Sequence, residues 1–152
     1  MPVSKPLIVV ETSEVRPGKV GDLLAAMSDL ARFVRAREPR LIAYQAYLDE
    51  DGRSMTLVEI HPDSTSAEFH LEVIGGASPG LARLMTLTAL DVYGEPSSEL
   101  LAQLQARVET LGADVGDLRV HSPEAGFERL PTGSLLRTSA SQRHSMSSLV
   151  AV

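Results

Sequence analysis

Residues 41–61 read LIAYQAYLDEDGRSMTLVEIH. Leu41 to Leu48 (LIAYQAYL) and Met55 to His61 (MTLVEIH) are two apolar runs of strand length. Between them lies Asp49-Glu50-Asp51-Gly52, a polar turn with glycine where a positive φ is expected. Two strands joined this closely form an antiparallel hairpin. What flanks the hairpin on each side decides the fold.

Upstream, the apolar period changes to that of a helix. Val20, Leu23, Leu24, Met27, Leu30, Ala31 and Val34 recur at three- and four-residue steps, with Asp22, Ser28, Asp29, Arg32 and Arg35 on the other side. This predicts an amphipathic helix of about five turns at ~3.6 residues per turn. Pro39 ends it, because proline disfavours helical geometry in the residue before it. Before the helix, Leu7 to Thr12 (LIVVET) reads as a strand, closed by Arg16-Pro17-Gly18.

Downstream, Pro62 stops the hairpin and Thr65-x-x-Glu68 has the form of a capping box. Ala67, His70, Leu71 and Ile74 share one face of the helix it opens, and Gly75-Gly76 ends that helix. Leu81 to Met85 allows one further helical turn, and Thr86 to Tyr93 (TLTALDVY) is a fourth strand. The order β-α-β-β-α-β predicts an α+β fold, a ferredoxin-like sheet with helices on one face. The uncovered face, if apolar, is most economically closed by a second copy of the chain.

After the break at Gly94-Glu95-Pro96, Ser97 caps a third helix with Leu100, Leu101, Leu104, Val108 and Leu111 as its stripe. Leu118 to His121 predicts a short fifth strand. Beyond Leu130 the chain is Ser-rich and loses periodicity. The expected organisation is a ferredoxin-like domain over 1–95, a helix–strand extension of it over 96–130, and a mobile tail over 131–152.

Composition excludes several function classes. The 152 residues suit one domain. Twenty acidic against 14 basic residues give a net charge of −6, which disfavours nucleic acid and anionic membrane as partners. With no cysteine there is no disulfide scaffold, thiolate nucleophile or thiolate-bound metal. No apolar run approaches the ~20 residues of a membrane span. The N-terminal MPVSKPLIVVETSEV lacks the pattern of a signal peptide, so a cytoplasmic location is expected. Serine occurs in no Gly-x-Ser-x-Gly setting, and the glycines form no phosphate loop.

Three stretches of the first 95 or so residues resemble the antibiotic-biosynthesis-monooxygenase superfamily of dimeric α+β barrels. They are Ile8-Val9-Val10-Glu11 with Arg16-Pro17-Gly18-Lys19; Glu38-Pro39 with Tyr44 in the following strand; and Glu59-Ile60-His61-Pro62-Asp63 leading to Glu68-Phe69-His70-Leu71. His61 stands where the family commonly has Trp. Thr12 stands at the Asn position of the Asn-Trp-His set of haem-degrading relatives, so haem degradation is not the implied activity. The resemblance implies a homodimer with a ligand cavity between helices and sheet, and chemistry without metal or organic cofactor.

Against that background the candidate residues are few. His70 is either a core or interface histidine or a general base or hydrogen-bond donor in the cavity. Glu59 and His61 are two apart on a strand and so share a face, together with Leu57 and Met55. A carboxylate and an imidazole in apolar surroundings often mark a site. His61, His70 and Glu59 have the ligand types of a two-histidine, one-carboxylate metal centre, but their spacing matches no tight motif and no metal is expected. Tyr44 and Tyr47 point to opposite faces of their strand. The expected catalytic residues are therefore His70, His61 and Glu59, with Tyr44 and Thr12 contacting substrate. The expected activity is a cofactor-independent monooxygenation of an electron-rich aromatic or polyketide-like molecule. A non-catalytic ligand-binding or interaction dimer, and a cofactor-free isomerase or cyclase, are the alternatives.

Overall fold

The computed structural model describes residues 5–112 and 118–129. Five strands, β1 (Leu7–Val15), β2 (Ala43–Leu48), β3 (Ser54–His61), β4 (Met85–Tyr93) and β5 (Leu118–His121), form one sheet in the order β2-β3-β1-β4-β5. The first four are antiparallel to their neighbours, and β5 lies parallel to β4. Helices α1 (Val20–Arg37) and α2 (Ser64–Ile74) occupy the crossovers of the ferredoxin-like order. A 3-10 turn over Gly75–Ala77 and the short helix α3 (Ser78–Leu81) lead into β4, and α4 (Ser98–Leu111) connects β4 to β5. The third helix and fifth strand are thus present as the sequence predicts. The Ser-rich 131–152 stretch lies outside the described residues.

Each element follows from local chemistry. The β2–β3 turn places Gly52 at φ +70°, the left-handed region that glycine enters without a Cβ clash. The capping of α2 differs from the expectation. Asp63, not Thr65, is the N-cap, and its carboxylate accepts from the Ser66 amide at 2.9 Å. Aspartate at that position satisfies an amide that the helix leaves without an internal partner. Ser97 caps α4 in the same way, accepting from the Leu100 amide.

Strand alternation separates the two sheet faces. Leu7, Val9, Glu11, Ser13 and Val15 of β1 and Met55, Leu57, Glu59 and His61 of β3 are buried, while the residues between them are not. The buried face carries the core, with Leu23, Met27, Leu30 and Val34 of α1, Ala67 and Ile74 of α2, and Leu100, Leu104, Val108 and Leu111 of α4. On the opposite face Ile8 and Tyr93 face each other across β1 and β4, and Ile8 and Ile60 across β1 and β3. Ile8, Tyr47 and Tyr93 are exposed there. In the β1–β4 ladder the register slips between Thr12 and Ser13, so that Thr88 is an extra residue on β4. No helix among the described residues is long and apolar enough to cross a membrane.

Candidate functional site

The buried sheet face is not uniformly apolar. Glu11, Glu59 and His61 on the strands, Glu38 at the end of α1, Ser66 and His70 on α2 and Arg107 on α4 are all buried. A buried carboxylate or imidazole is costly unless it is paired. Here the groups pair with one another.

His70 lies at the centre. Its Nδ1 is 2.9 and 3.0 Å from the two Glu38 oxygens. Its Nε2 is 3.2 Å from Glu59 Oε1. That second pair lacks the alignment of a hydrogen bond, leaving Nε2 and Oε1 buried without a hydrogen-bond partner. The other Glu59 oxygen lies 3.1 Å from His61 Nε2, and His61 Nδ1 lies 3.1 Å from Ser66 Oγ. A buried chain therefore runs Glu38–His70–Glu59–His61–Ser66, alternating acid and imidazole before it ends on a hydroxyl. The His61 and His70 rings are 5.5 Å apart, and the Tyr44 ring is 5.3 Å from His70. Tyr44 pairs directly with Glu59 across β2 and β3, and its buried hydroxyl has no hydrogen-bond partner.

The local origins of these positions are simple. Pro39 stops α1 at Arg37, so Glu38 leaves the helix, and its carboxylate contacts His70 of α2. Ser66 and His70 are four apart on α2 and thus neighbours on its buried face. Glu59 and His61 share the inner face of β3 by strand alternation.

The electrostatics follow from this crowding. Burial by itself lowers the pKa of His70. The Glu59 charge and the hydrogen bond to Glu38 more than reverse that, raising it to about 10, so the ring is a cation at neutral pH. Burial by itself raises the pKa of Glu59, but the charge of His70 and the hydrogen bond from His61 hold its carboxyl well below the usual carboxylate range. Burial, followed by the charges of Glu59 and Glu11, pushes the Tyr44 phenol far up and keeps it protonated. The result is two donors, the His70 imidazolium and the Tyr44 hydroxyl, beside one ionised acceptor.

Next to this cluster, Arg107 of α4 forms a two-point pair with Glu11 of β1. Its Nε donates to one carboxylate oxygen and its Nη2 to the other at 3.0 Å, while Nη1 reaches Ser78 Oγ at 3.3 Å. Planar guanidinium matches carboxylate in this geometry.

The structure brings together four of the five residues expected from sequence: His70, His61, Glu59 and Tyr44. Thr12 is not among them. It is flanked on β1 by the inward-facing Glu11 and Ser13, so its side chain lies on the opposite face of the sheet. Tyr47 likewise faces away from Tyr44 and is exposed. Sequence reasoning missed Glu38, Ser66, Glu11 and Arg107 as members of the cluster. Two of them carried a signal, since Glu11 keeps the inward phase of Leu7 and Val9, and Arg107 falls inside the Leu104–Val108–Leu111 stripe. Among the described residues, no three histidine or carboxylate side chains are grouped so as to hold a metal ion.

No family model matches the chain, and no curated protein matches it. Solved structures do. MupZ from Pseudomonas fluorescens aligns with a TM-score of 0.63 at 15% identity, over 82% of this chain and 94% of that one. SnoaB, a cofactor-independent oxygenase from Streptomyces nogalater, aligns with a TM-score of 0.51 at 16% identity, over 62% of this chain and 96% of that one. A candidate antibiotic biosynthesis monooxygenase from Bacteroides thetaiotaomicron gives a TM-score of 0.51 at 13% identity, over 60% and 88%. At these identities the likeness is one of architecture: this chain shares its ferredoxin-like fold with these proteins.

Proposed function

We propose that the protein is a homodimeric, cofactor-independent monooxygenase of a small electron-rich aromatic or polyketide-like molecule. One observation carries the proposal. Tyr44 Oη is buried without a hydrogen-bond partner, and His70 Nε2 and Glu59 Oε1 face each other at 3.2 Å without hydrogen-bond alignment; the three atoms come from three different elements. Buried polar atoms are rarely left so, and a group of them beside perturbed titratable residues is what a reacting substrate would satisfy.

His70 is a cation at neutral pH, so of its two expected roles the donor is the one its surroundings favour. With neutral Tyr44 it would hold the oxygen on which negative charge develops as the substrate loses a proton. Glu59, kept ionised, is the nearest carboxylate to receive that proton, and it is a weak base because the His70 charge and the His61 hydrogen bond that keep it ionised lower its proton affinity. The substrate carbanion or phenolate then supplies the electrons to oxygen. One oxygen atom enters the product as a carbonyl, and the other leaves as water with two hydrogens from the substrate. His61 orients Glu59 through its 3.1 Å contact. The likeness in fold to SnoaB supports this class of reaction.

A cofactor-free isomerase or cyclase is the second reading, favoured by the charge state of His70. Two fixed donors and a carboxylate move protons without any need for oxygen. Oxygen uptake against a panel of hydroquinones and anthrone-like aromatics, with and without chelator, tests both. Uptake insensitive to chelator and lost in Glu59→Gln supports the monooxygenase. Substrate consumed with no oxygen uptake assigns the second reading, and no turnover of any panel member removes the first.

A further inference from the structure

The chain Ser66–His61–Glu59 has a meaning beyond orienting a carboxylate. An ionised carboxylate only accepts hydrogen bonds, so the 3.1 Å contact from His61 Nε2 to Glu59 Oε2 requires the proton on Nε2. In the neutral imidazole the lone pair then sits on Nδ1, 3.1 Å from Ser66 Oγ, and the serine hydroxyl must be the donor. A serine donating to an imidazole whose far nitrogen donates to a buried carboxylate is the arrangement that activates a serine nucleophile. The two ring nitrogens are exchanged relative to the chymotrypsin example, but the roles are unchanged. Such a constellation is recognised by geometry and not by sequence, which is why the absence of a Gly-x-Ser-x-Gly stretch does not count against it.

The remaining requirement is a donor for the oxyanion. His70 lies one helical turn after Ser66 on the same buried face of α2. Its Nε2 faces Glu59 Oε1 at 3.2 Å without hydrogen-bond alignment, and its ring is held as a cation. The Tyr44 ring is 5.3 Å from the His70 ring, and its hydroxyl is buried without a hydrogen-bond partner. Nucleophile, base and orienting carboxylate are therefore in direct contact, with the His70 ring 5.5 Å from that of His61 and the Tyr44 ring beyond it.

We propose that Ser66, activated by His61 and Glu59, is the nucleophile of an acyl-transfer activity toward small uncharged esters or lactones. The uncharged class follows from the neighbourhood, where the carboxylates Glu11, Glu38 and Glu59 face the cations His70 and Arg107, leaving no excess positive charge to hold an anion. In the first step Ser66 Oγ bonds to the acyl carbon, its proton passes to His61 Nδ1, and the bond to the alkoxide breaks as that proton is delivered to the leaving oxygen. In the second step water bonds to the acyl carbon and gives a proton to His61, and the Ser66–acyl bond breaks with return of the proton to Oγ. No oxidant or reductant is involved. The proposal draws on the same cluster as the monooxygenase reading, but its assay needs no oxygen, so the two readings fail separately.

The test is covalent labelling of the full chain. A fluorophosphonate probe should give a single adduct mapping to Ser66, absent in Ser66→Ala and slowed at least ~100-fold in His61→Gln, the usual loss when a positioned base is removed. The chain has no cysteine, so Ser66→Cys introduces a single thiol and provides a second measurement. At pH 6.5 it should react with iodoacetamide at least tenfold faster than a free thiol, because an adjacent imidazole stabilises the thiolate. No adduct at Ser66, an adduct formed equally fast in His61→Gln, or a thiol in Ser66→Cys no faster than glutathione would each overturn the proposal. Labelling in the absence of any oxygen uptake would leave the acyl-transfer site standing and the monooxygenase reading without support.

Discussion

His70 of α2 meets Glu38, the residue that ends α1, with the imidazole Nδ1 2.9 Å from the carboxylate and both side chains removed from solvent. The pair joins residues 32 positions apart and sets the charge of the ring. A histidine whose folded pKa is raised above its unfolded value binds its proton more tightly in the folded state. Its contribution to stability is therefore fully present below pH ~6.5, the unfolded value, and is lost as pH rises through about 10. Urea titrations across pH 6 to 10 should show that decline in the native protein and its absence in His70→Gln. A ¹⁵N spectrum should show His70 doubly protonated at pH 8. Titration of that ring near 6.5 would contradict the clamp.

Removing one side of the clamp gives a directional result. In Glu38→Gln the ring keeps its hydrogen-bond acceptor but loses a neighbouring charge, so its pKa should fall towards the ordinary range. The same NMR titration measures it. An unchanged value would mean that Glu59 alone sets the charge of His70.

The Glu11–Arg107 pair is buried on both sides, so losing either partner strands a charge. Arg107→Met should cost about 3–5 kcal/mol by urea denaturation. The double variant with Glu11→Leu should recover most of that loss, because an apolar pair of similar volume replaces an ion pair at little or no cost. Equal loss in the single and double variants would show that packing, not charge, dominates there.

Much of this was open to sequence reading, and the limits have physical causes. Strand and helix periods place His61, Glu59 and His70 on inward faces because periodicity is a local property. Glu38 and Ser66 join the cluster only through contacts that cross elements. Glu38 stands after the helical pattern has ended, and Ser66 sits in a run of Ser and Thr where several residues could cap the helix. Thr12 matches a family position by resemblance, whereas strand alternation next to Glu11 and Ser13 puts its side chain on the other face.

The uncovered sheet face yields a further expectation. Ile8, Val10, Val58 and Ile60 form an apolar patch at the centre of that face, and a face-to-face homodimer would bury it. Light scattering should give twice the 16.3 kDa chain mass at micromolar concentration. Ile60→Asp should give the single-chain mass with an intact circular dichroism spectrum. A native monomer would remove the dimeric barrel.

Helix α2 depends on one cap. Asp63→Ala removes the acceptor of the Ser66 amide and should cost about 1 kcal/mol in a thermal or urea melt. If Asp63 also fixes Ser66 against His61, fluorophosphonate labelling should slow in the same variant.

The reach of Arg107 to the middle of β1 bears on how such a chain can be divided or inherited. By sequence, residues 96–130 look like an appendage to a finished domain. In the folded molecule they carry the positive charge that allows Glu11 to lie in the interior. A shorter protein of this architecture, ending after β4, can hold an acid at the centre of its first strand only if another group balances it. Removing the appended helix would strand the buried Glu11 without its counter-charge, so a shortened chain calls for a neutral residue at position 11.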